Sequence, residues 1–146
     1  MSSGVDDAVN YNNRFFVSSA AETRGADHEV PVAHYHQAGS VVWAEFRGGK
    51  VLLGRLVGTC DIEGTLRLAY CQALDGGTVV AGECVSTPEL LPDGRIRLRE
   101  EWRRLDEAGS TGVSYIEEVA EPAGAVDGPG ETEGAVGAGL RPAASA

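Results

Sequence analysis

Along RIRLREEWRRL, residues 95–105, apolar and charged positions alternate. Ile96, Leu98 and Trp102 share one face with Glu100, while Arg95, Arg97, Arg99 and Arg103 share the other. Period-2 alternation marks a strand with one dry side. Seven further runs read as β: RFFVSSA, VPVAHYHQ, SVVWAEF, KVLLGRLVGTC, TLRLAYCQAL, TVVAGECVS and GVSYIEEV. Between the later ones stand QAGS, RGGK, DIEG, LDGG, LPDG and DEAGS. RGGK reads as a two-residue Gly-Gly hairpin, and DGG and PDG are strong turn chemistry. Helical periodicity is absent, apart from a weak trace around STPELL.

Eight strands with mostly short connections predict an antiparallel meander, and a meander must deal with its two edges. Closure into an up-and-down, calycin-like β-barrel removes them and leaves room for packed side chains or one small ligand. An open sandwich is the alternative, disfavoured because no long Greek-key crossover is visible. The predicted fold is therefore an all-β, eight-stranded antiparallel barrel.

The phase of each run predicts its inward face. Leu52, Gly54, Leu56 and Gly58 share one phase, and inward glycines permit the strand coiling that small barrels need. Leu66, Leu68, Tyr70 and Gln72 oppose Arg67, which marks the wet side. Glu83 and Glu45 likewise place Val80, Gly82, Cys84 and Ser86, and Val42, Ala44 and Phe46, inside. In HYHQ the pattern leaves the choice open; Tyr35 is taken as inward, with Gln37, and His34 and His36 as outward. The interior then holds a dry set (Leu52, Leu56, Leu66, Leu68, Ile96, Leu98) and a polar set. Because the strands carrying Tyr70/Gln72 and Glu100/Trp102 run the same way, their polar ends meet at one mouth.

An inward Glu100 at such a mouth keeps contact with water or a ligand, where full burial of a lone carboxylate would be prohibitive. Apolar walls with a few convergent polar groups are the usual make-up of a ligand site. Tyr35, Tyr70, Gln72, Glu100 and Trp102 are the predicted ligand-binding residues. Competing roles for Glu100 are an internal hydrogen-bond cluster with Tyr70, Gln72 and Trp102, or a catalytic acid or base. His34-Tyr35-His36 puts two imidazoles on one face, yet no third metal ligand is evident because His28 falls in a loop, so no metal and no cofactor is expected. Cys84 reads as a small hydrophobe rather than a nucleophile. The glycines of GGTVVAGE and GPGETEG precede no helix and no Lys-Ser/Thr, which excludes a phosphate loop.

Charge and composition narrow the partners. The 146-residue chain carries a formal net charge of −10, which argues against nucleic acid and against an anionic membrane surface. The start lacks a basic and an apolar region of the signal-peptide kind, and no run approaches the roughly 20 apolar residues of a membrane helix. Cys60, Cys71 and Cys84 show no paired spacing and read as reduced thiols of a cytoplasmic protein. Residues 1–10 are expected to be flexible, 11–119 to form the barrel, and the Ala/Gly/Pro-rich acidic stretch 120–146 to be a disordered tail. A monomer or homodimer binding a small molecule is the expected state. An enzyme using the same cavity (cyclase, isomerase or acyltransferase) and a protein-interaction module are the rival classes.

The stretches AHYHQAGSVVWAEFRGGKVLLGRLVG, CVSTPELLPDGRIRLREEW and GVSYIEE resemble the small bacterial proteins that carry the automatic name N-acetylglutamate synthase, over residues 10–119. The name implies acetyl transfer to glutamate. Genuine N-acetylglutamate synthases resemble mixed α/β acetyltransferases with a Gly-rich acetyl-CoA loop, which this β-only pattern lacks. The resemblance brings no catalytic residues.

Overall fold

The computed structural model describes residues 9–18, 25 and 29–122. Eight strands follow the eight runs: β1 Arg14–Ser18, β2 Val32–Ala38, β3 Val41–Gly48, β4 Val51–Cys60, β5 Leu66–Leu74, β6 Val79–Leu90, β7 Ile96–Arg104 and β8 Thr111–Val119. Each pairs antiparallel with the next, and β1 pairs with β8 through Phe15–Val119 and Ser18–Ile116, so the sheet closes. Closure rules out the sandwich. Among the described residues, no helix is long and apolar enough to cross a membrane. The tail from 123 to 146, the first eight residues and His28 lie outside the described residues.

The turns are tight where the sequence is rich in glycine. Gly48 ends β3 opposite Val51, so the two-residue turn is Gly49-Lys50 and not the expected Gly-Gly pair; Gly48 and Gly49 have φ of 128° and 57°, a backbone region closed to most side chains. The STPELL stretch is strand, not helix: β6 continues through Pro88, opposite Leu98 of β7. Pairing of β6 with β5 ends at Ser86, and a strand released on one side is where proline is tolerated.

Inward positions follow the expected phases with one break. Leu52 is 60% exposed, while Val51 is buried. On β4, Val51 pairs with Leu74 and Leu53 with Ala73, so two residues of β4 span one step of β5. This bulge reverses the phase: Val51 takes the inner position, and Leu52 and Leu53 turn outward. From Gly54 onward the alternation resumes as expected.

The two poles of the barrel differ. At one, Tyr11 is wholly buried, and its hydroxyl donates to the Gly64 carbonyl at 2.6 Å. Its ring lies 6.4 Å from Phe16 and 6.2 Å from Tyr35, centroid to centroid. Val9 packs against the same core. The N-terminal segment from Val9 is thus a plug on the barrel, which corrects the expectation of a loose start at residues 9 and 10. Gln37 belongs to this closed pole: its side-chain carbonyl accepts from the Tyr11 amide at 2.9 Å. It takes no part in lining the cavity.

Arg95, just before β7, and Arg97, Arg99 and Arg103 of β7 lie outside, each against an acid: Arg95–Asp93 and Arg97–Glu89 at 2.8 Å, Arg103–Glu83 at 2.6 Å, and Arg99 with Glu101. These exposed pairs contribute little each. Their sequence-level reading as a solvated row among surplus acids holds.

Candidate ligand-binding site

A cavity of about 140 Å³ opens at the pole opposite Tyr11. The strand alternation builds the wall. Along β7 the inward positions are Ile96, Leu98, Glu100, Trp102 and Arg104, in order from the closed pole to the mouth. The register sets Glu100 opposite Ser86 on one side and Ser114 on the other.

Three aromatic rings shape the upper wall. Phe46, Tyr70 and Trp102 each pair directly with a glycine of the next strand, Gly54, Gly82 and Gly112. Each ring lies over its glycine so closely that a Cβ there would collide with it. The inward glycines therefore seat the aromatic rings flat against the wall, and with them the void stays open. Covering a strand glycine by a cross-strand aromatic also compensates for the glycine's missing side chain.

Glu100 sits two inward positions below Arg104, midway down the wall rather than at the rim where the sequence placed it. It is partly buried, and it lines the cavity. The Ser86 hydroxyl donates a hydrogen bond to it at 3.3 Å. The anticipated cluster with Tyr70, Gln72 and Trp102 is not its bonding environment. Burial pushes the carboxyl up to about 7, and the Ser86 hydrogen bond pulls the other way. At neutral pH it is divided between donor and acceptor forms, so it can meet a ligand N–H, hydroxyl or carbonyl.

Around it stand two other polar groups with unusual surroundings. The Tyr35 hydroxyl is buried with no hydrogen-bond partner among the described residues. Its acidity is suppressed first by burial and then by the Glu100 charge. The Cys84 thiol is raised to about 12, by burial first and then by Glu100, and its sulfur lies 3.4 Å from the Ser86 oxygen. A thiol held this firmly in the protonated form is no nucleophile at neutral pH. At the rim, Arg104 lies 5.9 Å from the Trp102 ring, supplying the mouth with a cation.

All five residues singled out in the sequence line this cavity: Tyr35, Tyr70, Gln72, Glu100 and Trp102. Sequence reasoning missed Arg104 and Ser114 as lining residues, and placed Phe46 inside without assigning it to the site. For Arg104 the signal was present, since the alternation of residues 96–102 continues to it; the arginine row on the other face obscured it. His34 and His36 point away from the cavity, on the outer wall, where Glu45 of β3 joins them.

A closed eight-stranded meander around one partly polar cavity defines the calycin type of barrel, a small-molecule-binding fold. Residues 9–119 match the family model described as Avidin-like protein, and the chain belongs to that family. Comparison with curated proteins and with solved structures found no match.

Proposed function

We propose that the protein binds a small metabolite whose polar head reaches Tyr35, Ser86 and Glu100 and whose body lies between Tyr70 and Trp102. The observation that carries this reading is Tyr35, a residue of the cavity wall whose buried hydroxyl has no partner among the described residues. Leaving a buried hydroxyl unsatisfied costs roughly 1–3 kcal/mol, a cost that a ligand atom bonded there removes. Gln72 and Arg104 at the rim suit an anionic or amide tail. The family match supports the small-molecule reading, and the fold's biotin type makes biotin one compound to test.

A catalytic use of the cavity is a second reading: the Glu100 carboxyl lines the cavity, and burial pushes it up to about 7, which suits proton transfer at neutral pH. The resemblance to proteins named N-acetylglutamate synthase adds glutamate, acetyl-CoA and N-acetylglutamate to the compounds of interest.

The deciding experiment is metabolite capture from a cell extract followed by native mass spectrometry, with calorimetric titration of whatever is captured and of biotin and N-acetylglutamate. A ligand lost on Tyr35→Phe or Glu100→Gln substitution supports the site. A ligand bound equally by both variants places binding elsewhere. Turnover of the captured compound, absent in Glu100→Gln, would favour the enzyme.

A further inference from the structure

On the outer wall, facing away from the cavity, β1, β2 and β3 carry a ladder of four rings. Phe15 stacks on His34 with centroids 4.2 Å apart, His34 lies 4.3 Å from His36, and His36 stacks on Trp43 at 5.4 Å. The flanking aromatics hold both imidazoles in place. Across the β2–β3 hairpin, Glu45 pairs in register with His34 and reaches diagonally to His36, whose Nε2 lies 2.8 Å from Oε1 of Glu45. The third donor that the sequence pattern did not reveal is thus supplied by the neighbouring strand.

We propose that His34, His36 and Glu45 form a binding site for a divalent transition-metal ion, zinc in the first instance. One donor atom from each of the three lies within 4.8 Å of the others. Zinc bonds of about 2.0–2.1 Å in tetrahedral geometry set donor atoms about 3.3 Å apart, which small side-chain rotations reach from here. Two imidazoles and one carboxylate are a donor set that zinc accepts with a fourth position left open.

The surroundings of His34 add an independent argument. Its Nε2 lies 2.8 Å from the side-chain oxygen of Asn13. Donation to that oxygen places the ring proton on Nε2 and leaves the Nδ1 lone pair free for a metal. Outer-shell acceptors of this kind are the usual companions of a metal-bound histidine. Asn13 is itself held at φ 61°, a left-handed conformation that asparagine tolerates.

The test uses the full chain without a histidine tag, titrated calorimetrically with zinc and followed by absorption with cobalt(II). The expected result is one ion per chain, with a cobalt spectrum of nitrogen and oxygen ligation. His36→Gln and Glu45→Gln should each weaken binding by more than tenfold. Asn13→Gly, which keeps the backbone conformation and removes the acceptor, should weaken it by about 10-fold. Absence of saturable uptake by the wild-type chain overturns the proposal without recourse to any variant. So does a cobalt–thiolate band, which would place the metal on Cys60 or Cys71. Undiminished uptake by a His34→Gln, His36→Gln double variant overturns it as well.

Discussion

Ser86 and Glu100 face one another across β6 and β7, on directly paired positions, with the hydroxyl donating to the carboxylate at 3.3 Å. One long hydrogen bond is a small return for placing a carboxyl group between two strands of a barrel wall. The rest of its bonding capacity points into the cavity.

That imbalance makes stability depend on pH. The folded carboxyl is raised to about 7 from 4.5, so the folded state binds more protons than the unfolded state between those values. The contribution is fully present below about 4.5 and is lost as pH rises through 7. At pH 8 the charged form costs up to about 3 kcal/mol relative to pH 4.5, taking about 1.4 kcal/mol for each pH step between the two values. Glu100→Gln should remove this dependence, becoming more stable than wild type at pH 8 and nearly equal to it at pH 5. Urea unfolding of both proteins at the two pH values checks it. Parallel pH dependences would show that Glu100 is not the titrating group.

Tyr35→Phe should stabilise the empty protein by about 1 kcal/mol, because it deletes a buried hydroxyl that has no partner among the described residues. The same change should weaken any cavity ligand that bonds the hydroxyl by about tenfold or more, the equivalent of about 1.4 kcal/mol. Stability and binding would move in opposite directions. Denaturant melts and titration with the captured compound read the two effects; destabilisation by Phe would mean that the hydroxyl has a partner in the folded chain.

Gly112→Ala should drive the Trp102 ring off the wall, since the new Cβ would meet the indole directly. The ring then has only the cavity to enter. Ligand affinity should fall by at least tenfold while the barrel still folds, with a cost of about 1–3 kcal/mol typical of overpacking. Tryptophan fluorescence reports the displacement, with Trp43→Phe used to silence the other indole. An unchanged emission spectrum would count against the ring-on-glycine arrangement.

Thiol reactivity should follow burial. Cys71 is exposed, Cys60 half-buried and Cys84 buried, and the Cys84 thiol is raised to about 12. Iodoacetamide should modify Cys71 first and Cys84 last, with Cys84 labelled only when the chain opens. Peptide mass spectrometry over a time course gives the order. Early labelling of Cys84 would show a cavity far more open than the one described.

Most of the architecture was legible because β3, β5, β6 and β7 each carry a charged residue that marks the wet face, whereas β2 carries none. Arg67, Glu83 and Glu45 point to the wet face, and a period of two leaves only one other side. Alternation alone locates Tyr70, Gln72, Cys84, Glu100 and Trp102 on one inner surface. It misplaces Leu52 because a bulge inserts a residue without leaving a mark in the pattern; Val51-Leu52-Leu53 offers three equivalent apolar choices. Tyr11 is hidden for another reason: it lies before the first strand and contributes through a contact with Gly64, 53 residues away, which no local pattern encodes. Glu45 as a neighbour of His36 was readable in principle. The Gly39-Ser40 turn sets residues 38 and 41 opposite each other, and counting back places 45 beside 34 and 36.

Val9 to Arg14 enter the barrel at its closed pole, and β8 ends at Val119 beside Phe15, also at that pole. Both ends of the barrel segment therefore leave from the base, opposite the opening. A fusion or surface anchor attached at either end would hold the molecule like a cup standing on its foot, rim outward, so immobilisation need not obstruct what enters.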